Sequence, residues 1–208
     1  GVNDNSVHTI GGRGSFDPIE DWTVALEGAF QVGDYMVTNQ VNERTREAWA
    51  IDVMLECRYF QDDYAWRPVI SAEYIFYSGE DNALDQTAAS TGDWNAWDPM
   101  FRGKFDTAIR EFQNVFYATN QTSTPSFTNQ HQVIVKGTVE PTDSLTVQGL
   151  WAHFWLAEAV TAARTNGPLW LNTNKNIGDE LDLLVTWDYT EDVQFSLLTG
   201  LFIPGSHW

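Results

Sequence analysis

The sequence has little cysteine and little positive charge. It contains one cysteine in 208 residues, so no disulfide can form within the chain. Lysine and arginine together number 11 and aspartate and glutamate number 29, which gives a formal net charge of −18 at pH 7. Nucleic-acid binding needs clustered cations that neutralise phosphate groups. This composition therefore argues against a nucleic-acid-binding groove.

Long apolar runs are also missing. No stretch reaches the roughly 18 consecutive apolar residues that indicate a transmembrane helix. This leaves open a membrane β-barrel, whose strands alternate apolar and polar residues. The first ten residues, GVNDNSVHTI, lack the charged start and apolar stretch of a signal peptide. We therefore expect that a signal peptide has been removed or that the chain begins within a larger protein.

Motifs that would indicate an enzyme are absent as well. The four histidines show neither the HExxH nor the HxxEH spacing of zinc enzymes. The glycines of GGRG (11–14) precede no helical pattern, so they predict close packing or a bulge in a strand. Asp52 and Glu56 share one face of a strand at a spacing that a glycosidase could use. Charge that lines a lumen is the commoner reason for such a pair, and we expect no catalytic residue.

Aromatic residues and two-residue periodicity are what the sequence has in excess. Aromatics make up 14% of the chain and include ten tryptophans, which is high for a soluble domain. Apolar residues recur at every second position in eight stretches, which predicts β-strands. The stretches are 7–16, 21–35, 47–60, 66–79, 129–140, 145–157, 179–189 and 193–204. Most reach the roughly 9–11 residues that a tilted strand needs to cross a bilayer. Helical spacing is best over 105–120.

The connections between these strands alternate in length. Four are short and rich in turn-forming residues, with the sequences DPIED, QDDYA, PTDS and TED. The other three are long and cover 36–46, 80–128 and 158–178. Outer-membrane barrels have this arrangement, with tight periplasmic turns and long extracellular loops. We therefore predict that 80–128 is a long extracellular loop folded over or into the mouth of a barrel.

Each strand has one apolar and one polar face. Along 179–189, Leu181 and Leu183 share a face, whereas Asp182 lies on the other. Aromatics gather at two levels, near the short turns and near the long loops (Tyr35 and Phe202 among the latter), as at the two interfaces of a bilayer. The apolar face is predicted to meet lipid and the polar face to line a water-filled lumen. The predicted lumen-lining residues are Arg13, Glu27, Asp52, Glu56, Arg58, Glu73, Lys136, Gln148, Asp182 and Asp188.

Two parts of the sequence depart from a simple closed barrel. Leu150, Phe154 and Trp155 break the alternation in the sixth strand, which indicates a bulge. Both chain ends would lie on the extracellular side, whereas complete outer-membrane barrels normally begin and end in the periplasm. We therefore predict an all-β fold in which 1–208 is a single unit, a transmembrane antiparallel up-and-down β-barrel of which these eight strands form a segment.

The loop sequence SGEDNALD (78–85) offers hard oxygen ligands. Glu80, Asp81 and Asp85 could bind calcium, although they lack the spacing of the twelve-residue calcium loop. Apart from a Ca²⁺ ion at this loop, we expect no cofactor.

Three stretches resemble a known family. YAWRPVISAEYIFYSGEDNALD (64–85) resembles a hairpin arm of the alginate export family of outer-membrane porins. WDPMF (97–101) resembles a loop of that family, and GDELDLLVTWDYTEDVQFSLLTGLFIPG (178–205) resembles its C-terminal hairpin. The resemblance implies a passive channel with more than eight strands, in the founding case for a secreted anionic polysaccharide. The acidic lumen predicted here would instead repel a polyuronate.

These observations predict a porin of the bacterial outer membrane with an acidic, cation-favouring lumen. The expected partners are the lipid bilayer, lipopolysaccharide and a hydrophilic solute. An oligomer and a periplasmic or extracellular partner protein stay open. The alternatives are a non-conducting barrel that acts as a scaffold around a partner, and a soluble carbohydrate-binding β-sandwich whose apolar faces meet.

Overall fold

The computed structural model describes residues 5–35, 44–58, 63–80, 92–99, 107–110, 128–159 and 174–206. These residues form eight β-strands. The strands are β1 (His8–Ile19), β2 (Trp22–Tyr35), β3 (Arg44–Cys57), β4 (Val69–Tyr77), β5 (Gln130–Thr142), β6 (Leu145–Leu156), β7 (Asn176–Thr190) and β8 (Val193–Pro204). Among the described residues, no helix is long and apolar enough to cross a membrane. The stretch with the best helical spacing, 105–120, falls largely outside the described residues.

The strands form one antiparallel sheet in sequence order, from β1 to β8. Each strand pairs with the next along the chain. In the described part of the chain, β1 and β8 are the two edges and do not pair with each other. The prediction of an all-β, up-and-down arrangement is confirmed, and the open sheet agrees with eight strands of a larger barrel.

Three of the four connections predicted to be short are two-residue turns, but the predicted alternation fails at the fourth, because the β3–β4 connection (58–68) is longer than the β2–β3 connection (36–43). Glu20–Asp21, Asp143–Ser144 and Glu191–Asp192 are two-residue turns. Asp21 adopts a φ of 65°, a left-handed conformation that Asp and Asn tolerate better than most residues. The register shifts beside each of these turns. We call the strand ends at these connections, together with the β3–β4 connection, the turn side, and the opposite ends the loop side.

Five strand boundaries differ from the sequence prediction by three residues: the end of β1, both ends of β3, and the starts of β4 and β7. β3 begins at Arg44, three residues before the predicted start, because its loop-side end has charged residues instead of an apolar alternation. β4 begins at Val69 because Arg67, with a φ of 44°, closes a turn by donating its amide to the Tyr64 carbonyl.

The pairing register defines two faces of the sheet. Directly opposed residues on antiparallel strands project to the same side. One row across the inner face contains Thr23, Glu56, Ser71, Lys136, Leu150, Asp182 and Gly200. The outer face carries a broad set of exposed apolar side chains, including Ile10, Leu26, Phe30, Ile51, Leu55, Ile70, Val135, Leu181, Leu183, Leu197 and Leu201. So large an exposed apolar surface indicates contact with an apolar phase or a partner.

The sequence analysis interpreted Leu150 and Phe154 as breaks in the alternation of β6, but in the structure both residues follow the alternation. Both side chains lie on the inner face and are buried, in a cluster with Ile134, Ala152, Leu156 and Ile177. Trp155 is opposite Asn176 and Phe154 is opposite Gly178, so the extra residue of the bulge is Ile177 of β7. The inner face is therefore apolar at this position, because part of the chain covers it.

Candidate functional site

The register gathers the sequence-predicted polar residues on one face without forming a single cluster. Nine of the ten lie on the inner face of the strands: Arg13, Glu27, Asp52, Glu56, Glu73, Lys136, Gln148, Asp182 and Asp188. The tenth, Arg58, follows β3 directly and contacts Glu56, with its Nη2 atom 2.5 Å from Oε1. Side chains alternate between the two faces of each strand, and pairing aligns these faces across the sheet. The parity of each residue along its strand is therefore enough to predict that these residues share a face.

Two other ion pairs on the turn side are longer, and their side chains are exposed. The Nε atom of Arg13 lies 3.8 Å from Oε2 of Glu27, and the two side chains are 76% and 55% exposed. Nη1 of Arg67 lies 3.5 Å from Oε2 of Glu140. Exposed pairs of this kind contribute little to stability, so these side chains remain available to ions and solutes.

On the loop side the inner face is covered by residues 92–99. Beyond Trp49, β3 has no β4 partner, and Trp94 occupies this free edge as a parallel bridge with Arg46. The Trp94 amide donates to the Thr45 carbonyl at 2.7 Å, and the Trp94 carbonyl accepts from the Glu47 amide at 3.0 Å. The segment therefore continues the sheet where β4 has ended.

Arg44 fastens this segment from the strand side. Its Nη2 atom lies 3.0 Å from Oε1 of Glu80, and the same guanidinium donates to the carbonyl groups of Gly92 and Asp93. The other Glu80 oxygen accepts the Asn95 amide at 2.8 Å. Both charged side chains are almost fully buried. Their pairing and additional hydrogen bonds offset the cost of removing two charges from water.

Arg46 makes a second group of contacts at the same edge. Its guanidinium lies over the Tyr35 ring at 5.2 Å and contacts Asp98 at 3.5 Å and Asn5 at 3.3 Å. Tyr35 in turn stacks on Trp94 with ring centroids 3.8 Å apart. Tyr35 therefore lies on the inner face and not in the lipid-facing aromatic level predicted for it; the same holds for Phe202, which is opposite Glu180. The inner-face position of both aromatic residues could have been predicted from their parity along the strand.

Residues 107–110 cover the inner face further across the sheet. The Ala108 amide donates to Oδ2 of Asp182 at 2.8 Å. The Ile109 and Arg110 amides donate to the two oxygens of Glu180 at 2.5 and 2.7 Å. Sequence analysis identified Asp182 but missed Glu180, although Glu180 lies two residues earlier on the same face of β7. Their contacts with a distant segment have no local signal.

The predicted calcium ligands are only partly described. Glu80 is engaged by Arg44 and by the Asn95 amide, as above, whereas Asp81 and Asp85 lie outside the described residues. Within the described ranges, no three His, Cys, Asp or Glu residues are grouped closely enough to hold a metal ion.

Aromatic rings form two levels on the outer face. At the loop side, Trp49, Phe76, His131 and Trp155 form a continuous row, with centroids 4.4, 4.7 and 4.9 Å apart. At the turn side, Trp187 and Phe195 lie 5.9 Å apart. Amphipathic rings at two levels that bracket an apolar band are typical of transmembrane barrels.

A meander of long antiparallel strands, apolar outside and polar inside, defines the class of transmembrane β-barrel proteins. The family model described as "Alginate export" matches residues 1–207, and the chain belongs to this family. It is a family of transport porins and not of enzymes, and together with the β-strand fold it points to an outer-membrane export channel. No curated protein matches the chain.

Proposed function

We propose that the chain forms part of a passive, cation-favouring channel for hydrophilic solutes. The observation that carries the proposal is the excess of carboxylates on the turn side of the inner face. Six carboxylates lie there (Glu27, Asp52, Glu56, Glu73, Glu140 and Asp188), against four cations: Arg13, Lys136, Arg58 beside Glu56, and Arg67 beside Glu140. Clustered charge of one sign in a narrow aqueous passage concentrates the opposite ions.

The acidic surface also bears on the class of solute. A polyanion would need cations along its path, and the buried Arg44 and Arg46 are already engaged by Glu80 and Asp98. Within about 8 Å, the Debye length at physiological ionic strength, carboxylate repulsion is hardly screened. A neutral or cationic solute fits this passage better than a polyuronate.

One observation favours a second candidate, a non-conducting barrel that serves as a scaffold. The inner face carries a buried apolar cluster with residues 92–99 and 107–110 over its loop side. If such covering segments filled the passage across its full width, the barrel would be a stable scaffold that does not conduct ions.

The test is single-channel recording of the full-length protein in a planar bilayer with a salt gradient. We expect open steps whose reversal potential shows a preference for cations. Anion preference would contradict the acidic passage, and silence from correctly inserted protein would favour the scaffold.

We also propose which components of the membrane the barrel contacts. The outer face contacts the bilayer, and its loop-side aromatic level contacts the lipopolysaccharide leaflet. A Ca²⁺ ion at the loop that contains Glu80, Asp81 and Asp85 is a further proposal; loss of Ca²⁺ binding, measured by calorimetry, in Asp81→Asn/Asp85→Asn would support it.

A further inference from the structure

Two neighbouring carboxylates on β7 accept three consecutive backbone amides from a distant part of the chain. Asp182 accepts the Ala108 amide, and Glu180 accepts those of Ile109 and Arg110, at 2.5–2.8 Å. Glu180 is fully buried and Asp182 is 9% exposed. Buried carboxylates need hydrogen-bond donors, and hydrogen bonds to ionised groups are the stronger kind. This is a built attachment between the wall and residues 107–110.

The opposite strand leaves room for this attachment. Gly200 of β8 is directly opposite Asp182. A Cβ atom at Gly200 would lie 3.1 Å from Cδ1 of Ile109, 3.2 Å from Cβ of Ala108 and 2.5 Å from Oδ1 of Asp182. The first two contacts are tight, and the third would be relieved by a shift of the Asp182 carboxylate, so glycine at this position lets residues 107–110 lie close against β8.

Arg110 extends the attachment across two more strands. Its guanidinium donates to Oε1 of Gln130 on β5 at 3.2 Å and lies 5.8 Å from the centre of the Phe154 ring on β6. Arg110 is itself fully buried. Residues 107–110 therefore contact β5, β6, β7 and β8 on the inner face.

We propose that Glu180 and Asp182 are positioning residues that fix residues 107–110 against the barrel wall, and that the attached segment sets the cross-section of the passage. The proposal rests on the proposed channel function. It assigns these two carboxylates to holding the segment, whereas Glu56 and its turn-side neighbours face the solute.

The first test compares Glu180→Gln/Asp182→Asn with the matched double variant Glu191→Gln/Asp192→Asn in the full-length protein. In Gln and Asn, an NH₂ group replaces one carboxylate oxygen. The backbone N–H groups of 108–110 then face a donor where they need an acceptor. Loss of one charge-assisted hydrogen bond shifts the ratio of attached to detached segment by roughly ten- to a hundredfold. We expect larger single-channel conductance and faster liposome swelling with larger neutral sugars. Glu191 and Asp192 form the exposed turn between β7 and β8, so Glu191→Gln/Asp192→Asn should leave the size limit unchanged.

Unchanged conductance and size limit in a folded double variant, while the wild type conducts, would overturn the role of the segment in setting the cross-section and leave the channel intact. Folding is checked by heat-modifiable migration in gels. If neither protein conducts, the channel function fails, and the attachment is decided by the second test.

The second test needs no conduction. In a Cys57→Ser background, Ala108→Cys and Gly200→Cys should form a disulfide under mild oxidation in the native membrane, because the Cβ positions are 3.2 Å apart, near the usual Cβ separation of about 3.5–4.5 Å. The control pairs Ala108→Cys with Gly149→Cys on the outer face, where a side chain has open space. Crosslinking of the first pair alone supports the attachment. Crosslinking of neither pair, or of both equally, would overturn it.

Discussion

The loop side and the turn side of the inner face use the same types of charged residue for different purposes. On the loop side, Arg44 and Glu80 have 5% and 2% of their side chains exposed and hold segments of the chain. On the turn side, the side chains of Arg13 and Arg67 are 76% and 54% exposed. Burial therefore distinguishes charges that hold structure from charges that can act on a solute.

The difference has an energetic consequence. A buried charge left without its partner keeps its full desolvation cost, whereas an exposed charge regains water. Loss of one partner should therefore affect stability on the loop side and ion selectivity on the turn side. Each of the following variants tests this division between the two sides.

The largest effect is expected at Arg44. Arg44→Met leaves Glu80 buried without a cation, which should cost about 3–5 kcal/mol of unfolding free energy. Urea unfolding in lipid vesicles, followed by tryptophan fluorescence, would measure it. Arg67→Met, on the turn side, is the matched control and should change stability far less. Equal costs for the two variants would remove the distinction between the sides.

The next effect tests the surface on which both sides depend. Leu197 of β8 lies on the outer face and is 65% exposed. Leu197→Arg should cost about 2–4 kcal/mol if it faces the middle of the bilayer. Ser196→Arg, one position earlier on the inner face, should cost much less in the same unfolding experiment. A neutral Leu197→Arg would contradict a lipid-facing outer surface.

Glu56 tests the function of the turn side. It lies on the inner face, opposite Thr23 and Ser71. Glu56→Lys replaces an anion by a cation, so the reversal potential in a salt gradient should move toward anions. Asp192→Lys makes the same charge change in an exposed turn and should move it less. An unmoved reversal potential for Glu56→Lys would show that this part of the face does not line the ion path.

Most of the fold could be predicted from the sequence because a two-residue period fixes both strand and face. Leu181, Asp182 and Leu183 show this on β7: parity alone separates the outer from the inner positions, and the register agrees. The prediction was wrong where another part of the chain covers the inner face. Leu150 and Phe154 were taken as breaks in the pattern, whereas they are buried inner-face residues.

The loop-side contacts could not be predicted for the same physical reason. Glu180 and Ile109 are 71 positions apart, and a contact at such a separation leaves no periodic trace in either segment. Arg44 and Arg46 were placed in a connection because charged residues at alternate positions do not resemble a strand. Only the chain that folds over them makes their burial favourable.

The smallest effect is expected at Arg13. Arg13→Gln removes the cation of the pair with Glu27, whose charged atoms are 3.8 Å apart on two exposed side chains. Such pairs contribute about 0–1 kcal/mol, so unfolding should be nearly unchanged. Because one inner-face cation is lost, the channel should become slightly more cation-selective. A stability cost comparable to that of Arg44→Met would mean that turn-side charges also hold structure, and burial would then no longer separate the two purposes.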